Sequence, residues 1–166
     1  RLGDATRPAI TAAFDAGSSV MSYFGHGSTM VWASENVFNT TDVPALAPQD
    51  QQPFLLTMNC LNGYFVAPNY DALSEAFLKA ESRGTIGAFT PSGMSLDGPA
   101  HRFHRALMAE ITSGDHQRLG DAVLASVLVS GLTLNTTYYY RVRAYGSVGT
   151  SDYSDYTSAV TLIDPP

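Results

Sequence analysis

Apolar residues fall into short groups along the chain, and their spacing changes from one group to the next. Three short runs lack a helical period and are typical of strands buried on both faces. These runs cover residues 20–24, 54–58 and 85–89. Elsewhere apolar residues recur every three or four positions, as on the buried face of a helix. Helices are therefore predicted over residues 5–16, 71–80, from Pro99 to beyond Ile111, and from Leu119 to about Ser126.

Strands that alternate with helices predict an α/β fold with a parallel sheet and flanking helices. Residues 28–52, between the first two strands, are rich in Ser, Thr, Asn, Pro and Gln. We expect them to form a long surface connection, with a helical turn near residues 43–46. Trp32 within this connection is expected either in the core or in the wall of a surface cleft. Asp71 is the expected N-cap of the helix that Gly84 ends.

The pattern changes at about residue 126. Beyond it Tyr, Thr, Ser and Val dominate and no helical period continues. Alternating residues predict antiparallel strands at residues 125–129, 136–145 and 157–162. The sequence thus predicts an α/β domain over residues 1–125, followed by an antiparallel β segment over residues 126–166.

Composition narrows the class of function. The chain has 166 residues, 45% apolar and 14% charged, which is enough for one ordinary core and a small appendage. Its net charge is -6 and its nine Lys and Arg residues are scattered, so we expect no nucleic-acid partner. No apolar run approaches the roughly 20 residues that span a bilayer, so no membrane span is expected. One cysteine excludes an internal disulfide and any zinc site built on two thiolates.

Two reactive side chains follow two of the predicted strands. His26, flanked by Gly25 and Gly27, comes after the first, and Cys60 comes after the second. Parallel neighbouring strands would bring both to one edge of a sheet, a common way to assemble a cysteine nucleophile and its histidine base. Histidine titrates near neutral pH, so it can accept the thiol proton and return it to a leaving amine. The simpler alternative is a glycine-hinged turn with a capping histidine and a buried thiol.

Other polar clusters carry weaker signals. His101 and His104 lie three residues apart on a predicted helix, with His116 beyond them, and such pairs can bind metal. Within the predicted helix no acidic residue stands at a matching spacing, and the apolar positions fit an ordinary amphipathic helix. We therefore expect no metal and no cofactor. Ser92 follows the third predicted strand, but no second histidine is placed to activate it.

Five stretches of the sequence carry a further signal. They are residues 23–28, 32–33, 59–65, 74–78 and 84–93. Together they resemble the gingipain-like cysteine peptidases, and the likeness covers about residues 1–125. It implies a caspase-like α/β fold with Cys60 as nucleophile and His26 as general acid/base. It also implies that the backbone N–H groups of Gly27 and Cys60 form the oxyanion hole.

The same resemblance implies a function and a location. Members of the family are bacterial, mostly secreted or surface-attached, and hydrolyse peptide bonds in protein or peptide substrates. The family fold has further strands and helices before the histidine motif. Because this chain begins at Arg1 without them, we expect a partial domain with an exposed sheet edge and weak activity or none by itself. The alternative function is a non-catalytic surface or adhesion module that keeps the peptidase core as a scaffold.

The last part of the chain carries its own resemblance. Residues 131–145, followed by Gly149, Ser151, Ser154 and Thr161, are similar to the final strands of a fibronectin type III domain. Tyr138 would be the corner tyrosine of that sandwich. A complete domain of this class has about seven strands, so residues 126–166 are expected to form only part of one.

Overall fold

The computed structural model describes residues 2–129, 137–140, 145–146, 149–150 and 157–160. These form two compact units. The first contains residues 2–95 with 145–146 and 149–150, and the second contains residues 96–129 with 137–140 and 157–160. None of the described helices combines the length and the apolar character needed to cross a membrane.

The helices and strands are numbered in chain order. The helices are α1 (Leu2–Asp15), α2 (Leu73–Lys79), α3 (Asp97–Ser113) and α4 (Leu119–Val129). The strands are β1 (Val20–Phe24), β2 (Gly27–Ser28), β3 (Val31–Trp32), β4 (Phe38–Asn39), β5 (Phe54–Met58), β6 (Gly87–Phe89), β7 (Thr137–Tyr140), β8 (Tyr145–Gly146), β9 (Gly149–Thr150) and β10 (Thr157–Val160).

A three-stranded parallel sheet in the order β1-β5-β6 forms the centre of the first unit. All five residues of β5 are buried, as a strand covered on both faces requires, whereas β1 and β6 at the edges are only partly buried. The predicted α/β fold with parallel strands is confirmed. The third strand is shorter than predicted: it begins at Gly87, and Ile86 before it is 66% exposed.

Four aromatic rings fill the core beside this sheet. Phe77 of α2 stacks on Phe14 of α1 at 4.9 Å between ring centroids and on Phe38 at 5.5 Å. Trp32 lies 5.6 Å from Phe38 and is 3% exposed, so it belongs to the core. Helix α1 ends before Gly17, whose φ of +76° only glycine adopts without strain.

The prediction that residues 28–52 form only a surface connection is wrong, whereas the helical turn predicted near residues 43–46 is confirmed. Strands β2, β3 and β4 form a small antiparallel sheet there, followed by a 3-10 turn at Val43–Ala45. The Asn39 side chain accepts the N–H of Thr41, and the Asp42 carboxylate accepts the N–H of Asn39. Polar residues thus complete the tight turns, while a few apolar residues enter the core. The buried ones are Trp32, Val37, Phe38, Val43 and Leu46.

Helix α2 starts two residues later than predicted, and Asp71 does not cap it. Its N-cap is Ala72, whose N–H donates to the Glu75 carboxylate at 2.9 Å. Asp71 instead pairs with Lys79 at 2.5 Å, a contact that its position outside the helix allows. A short connection joins the end of the helix to Gly84 (φ +86°). The α-carbon of Gly84 lies against the backbone of Phe77.

The second unit contains helices α3 and α4 and the antiparallel pair β7 and β10. Pro99 stands in the first turn of α3 as predicted, and Gly114 (φ +81°) ends the helix. The strand predicted at residues 125–129 is wrong, because α4 continues to Val129. An uncharged apolar run of this length is compatible with a buried helix as well as with a strand. Much of the predicted β segment lies outside the described residues.

Candidate functional site

The ends of β1 and β5 define the site, because these strands are parallel neighbours. Phe24 at the end of β1 pairs with Met58 at the end of β5, and the N–H of Gly25 donates to the Met58 carbonyl at 3.3 Å. His26 and Cys60 each lie two residues beyond this pair. Both residues therefore follow the same edge of the sheet, from strands that lie about 4.8 Å apart where they are paired. The predicted parallel neighbourhood of the two strands is confirmed.

The backbone of His26 is fixed, while its side chain is exposed. Its carbonyl oxygen accepts the Ala33 N–H at 2.8 Å and the Tyr23 hydroxyl at 2.7 Å. Burial of the Tyr23 phenol, followed by the nearby charge of Glu35, raises its pKa above the ordinary 10.0. The hydroxyl is therefore protonated and able to donate at neutral pH.

The Cys60 thiol is half-buried and contacts the loop that follows β6. Its Sγ accepts the N–H of Ser95 at 3.5 Å and lies 3.8 Å from the Ser95 carbonyl oxygen. The N–H of Leu61 donates to the Gly93 carbonyl at 3.0 Å, which continues the contact along the loop. Leu61 has a φ of +64°, an unusual conformation for a branched residue. The backbone turns sharply at Leu61, the residue after Cys60. Hydrogen bonds with residues 91–95 hold this turn in place.

The segment after His26 touches the residue before Cys60. A Cβ placed on Gly27 would lie 2.3 Å from Nδ2 of Asn59 and 2.9 Å from its Cγ. Only glycine therefore allows the two strand ends to come this close while Asn59 stays where it is.

The structure brings the predicted oxyanion donors into the same region. Gly27 begins β2, and Cys60 lies two residues beyond the end of β5. The N–H of Cys60 donates to no protein acceptor among the described residues. No hydrogen bond joins the His26 ring to the Cys60 thiol within the same part of the chain. Catalytic hydrogen bonds are often absent or long without substrate, so this geometry leaves the assignment of both residues as a prediction.

A buried amide network, which the sequence did not reveal, connects the two strand ends. Asn62 Oδ1 accepts the Trp32 indole N–H at 2.5 Å and the Asn59 side-chain N–H at 2.6 Å. Its own Nδ2 donates to the Ser28 carbonyl. An Asn-Gly pair is typical of a tight turn, but this pattern does not indicate that the Asn62 side chain points into the core.

The remaining predicted clusters lie elsewhere. His104 and His101 are on α3 in the second unit, and His116 pairs with Glu110 at 2.7 Å. Within the described residues no three His, Cys, Asp or Glu side chains are grouped to hold a metal ion. A depression of about 550 Å³ is lined mainly by residues around Val43 and Lys79, and neither His26 nor Cys60 contributes to it.

Comparisons with known proteins give matches of sequence and of fold. The model of peptidase family C25 matches residues 2–150. Gingipain R2 of Porphyromonas gingivalis strain W83 is 37% identical over 75 residues, which are 45% of this chain and 10% of that protein. Gingipain R1 of the same species is 36% identical over 75 residues, covering 7% of its length. The chain thus matches a tenth or less of the length of these curated relatives.

Two solved structures share the fold. The crystal structure of the Arg-specific cysteine proteinase gingipain R has a TM-score of 0.65 and 25% identity, covering 76% of this chain and 31% of that one. The complex of Porphyromonas gingivalis RgpB pro- and mature domains gives a TM-score of 0.66, with the same identity and coverage. The parallel sheet with flanking helices is therefore the caspase-like α/β fold of the gingipains, as the sequence predicted.

Proposed function

We propose that this chain, which belongs to peptidase family C25, carries the part of a cysteine peptidase that cleaves peptide bonds with Cys60 and His26. The observation that carries the proposal is the register of β1 and β5. The histidine and the cysteine each follow their strand by two residues beyond the paired ends, so the parallel register supports their meeting at one edge of the sheet. A thiol and an imidazole at one sheet edge are the groups that acyl transfer requires.

The reaction proceeds through an acyl-enzyme. The Cys60 thiol gives its proton to the His26 imidazole, and the sulfur adds to the carbonyl carbon of the substrate. The carbon–nitrogen bond then breaks, and His26 returns the proton to the leaving amine. Water, deprotonated by His26, attacks the resulting thioester, and the carbon–sulfur bond breaks to release the carboxylic acid and the thiol.

The negative charge on the carbonyl oxygen is stabilised by two backbone donors. The N–H groups of Gly27 and Cys60 form the oxyanion hole. Support comes from the Cys60 amide, which has no described protein acceptor, and from the close approach of Gly27 to Asn59. Removing a donor of this kind typically costs about 10² to 10³ in rate, so its placement matters as much as that of the nucleophile.

The substrates are proteins or peptides, and the location is the bacterial cell surface or the medium. Membership of the peptidase family and the likeness to gingipains of Porphyromonas gingivalis support both assignments. The domain division at residue 126 and the partial fibronectin type III segment remain predictions.

Alkylation of the thiol tests the catalytic pair directly. Cys60 is the only cysteine, so a single iodoacetamide adduct measured by mass spectrometry reports on this site alone. An ordinary thiol is only a few per cent thiolate at pH 7, so a working base at His26 should accelerate alkylation about tenfold. His26→Ala should remove this acceleration between about pH 6 and pH 8.

The control is His101→Ala, an exposed histidine on α3, which should alkylate like the wild type. Equal rates for the wild type and His26→Ala at every pH would exclude the proposed pair. The chain would then fit the alternative of a non-catalytic module that keeps the peptidase core as a scaffold.

A further inference from the structure

We infer that Asn62 is a positioning residue for the Cys60–His26 pair, because its side chain ties the segment after His26 to the loop after β5. The inference rests on the proposed function and adds a residue to the same site. Asn62 is 1% exposed, and it lies two positions beyond the proposed nucleophile. A buried side-chain amide is retained in a core only when its hydrogen bonds are satisfied, and here three of them point to different segments.

Two of these bonds reach the histidine side of the site. Asn62 Nδ2 donates to the carbonyl oxygen of Ser28, and Oδ1 accepts the indole N–H of Trp32 at 2.5 Å. Ser28 and Trp32 belong to the hairpin of β2 and β3, in which Gly27 pairs with Trp32. The hairpin begins at the residue after His26, so its position sets the direction in which the chain leaves the histidine.

The third bond reaches the cysteine side. Oδ1 also accepts the Nδ2–H of Asn59 at 2.6 Å, and Asn59 directly precedes Cys60. The backbone of Asn62 is itself anchored at the start of α2, since its carbonyl oxygen accepts the Ser74 N–H at 3.1 Å and the Ser74 hydroxyl at 2.7 Å. The Asn62 side chain therefore connects the segments that follow β1 and β5, while its own backbone is anchored to α2.

The role is one of positioning, because none of these bonds touches the thiol or the imidazole. Both lone pairs of Oδ1 and one proton of Nδ2 are used, so no smaller or apolar side chain can reproduce the three bonds. A displacement of about 1 Å between reacting groups can cost about 10² in rate. Loss of the Asn62 amide is therefore expected to displace Cys60 and His26 relative to each other.

A double-mutant cycle on thiol reactivity tests this inference. The second-order rate of Cys60 alkylation by iodoacetamide is measured at about pH 7 for the wild type, Asn62→Ala, His26→Ala and the double variant. We expect Asn62→Ala to lower the rate about tenfold when His26 is present and to change it little when His26 is absent. Asn69→Ala, an exposed asparagine of the same loop, is the matched control and should behave like the wild type.

The outcomes separate the two proposals. If His26→Ala alkylates as fast as the wild type, the proposed catalytic pair fails. If His26→Ala is slow while Asn62→Ala is fast, the pair stands and the positioning role fails. An equal loss from Asn62→Ala in both backgrounds would show a merely structural role and would also overturn the inference.

A second variant covers the case in which Asn62→Ala does not fold, as judged by far-ultraviolet circular dichroism. Trp32→Phe removes one donor to Asn62 Oδ1 and keeps an aromatic ring in the core. It should lower the alkylation rate severalfold, and only when His26 is present. An unchanged rate in this folded variant would contradict the positioning role.

Discussion

The Tyr23 hydroxyl donates a hydrogen bond to the backbone carbonyl of His26 at 2.7 Å, and the Tyr23 ring stacks on Trp32 with centroids 4.5 Å apart. The same carbonyl accepts the Ala33 N–H. One side chain thus connects the proposed base to the aromatic core. The backbone of the exposed His26 is therefore held by Tyr23 and Ala33.

Tyr23→Phe should weaken this connection without disturbing the stack. We expect a loss of about 1 kcal/mol in the free energy of unfolding, the typical net value of one hydrogen bond. Urea unfolding followed by the fluorescence of Trp32, the only tryptophan, measures the change in this unit. Tyr64→Phe, at a ring that is 37% exposed, is the control and should stay within about 0.5 kcal/mol. Equal effects of the two substitutions would show that the Tyr23 bond contributes nothing.

The aromatic core makes a second prediction. Phe77 is 0% exposed and stacks on both Phe14 and Phe38. Phe77→Ala should cost about 3–5 kcal/mol, because it removes a large buried ring and leaves a cavity between α1 and α2. Urea unfolding of the variant measures the loss. Val66→Ala, at a position 61% exposed, should change stability little, and a similar small effect at Phe77 would be incompatible with this core.

The sequence predicted the central sheet well, because a strand covered on both faces is a continuous apolar run. Residues 54–58 are such a run, and all five are buried in β5. The structure of residues 28–52 was predicted wrongly for the opposite reason. Their turns are completed by side chains such as Asn39 and Asp42, so polar residues dominate a segment whose few apolar residues lie in the core. Composition alone does not separate such a segment from a surface loop.

The site was predicted only in part, for a related reason. His26 and Cys60 follow recognisable strands, so their shared edge could be inferred before the structure. Asn62 and Ser95 could not be found in this way, because their contacts depend on how loops meet in space. Ser95 lies 35 residues after the thiol whose sulfur it contacts. A contact made by a backbone N–H does not depend on the residue type, so the sequence does not indicate it.

Acid should destabilise the second unit through His104. Burial, followed by the nearby charge of His101, lowers the pKa of His104 below its ordinary 6.5. Between that lowered value and about 6.5 the unfolded chain binds more protons than the folded one. The stability that depends on a neutral His104 is therefore complete above about pH 6.5 and decreases as the pH falls below it.

His104→Gln should reduce this pH dependence. Thermal unfolding followed by circular dichroism of the helices, at about pH 7.5 and about pH 5.5, should show a smaller difference in Tm for the variant than for the wild type. The ion pair of His116 with Glu110 is present in both proteins, so its own pH dependence cancels in the comparison. The same difference in both proteins would show that His104 does not contribute.

Gly27→Ala should destabilise the site even though it adds only one methyl group. The new Cβ would lie 2.3 Å from Asn59 Nδ2, and Asn59 cannot retreat without losing its bond to Asn62. Overpacking of this kind costs about 1–3 kcal/mol, measurable by urea unfolding. Gly93→Ala, where a Cβ meets nothing within 4 Å, should be nearly neutral and is the matched control. If the two substitutions had equal effects, Gly27 would not be the residue that lets the histidine and cysteine segments approach each other.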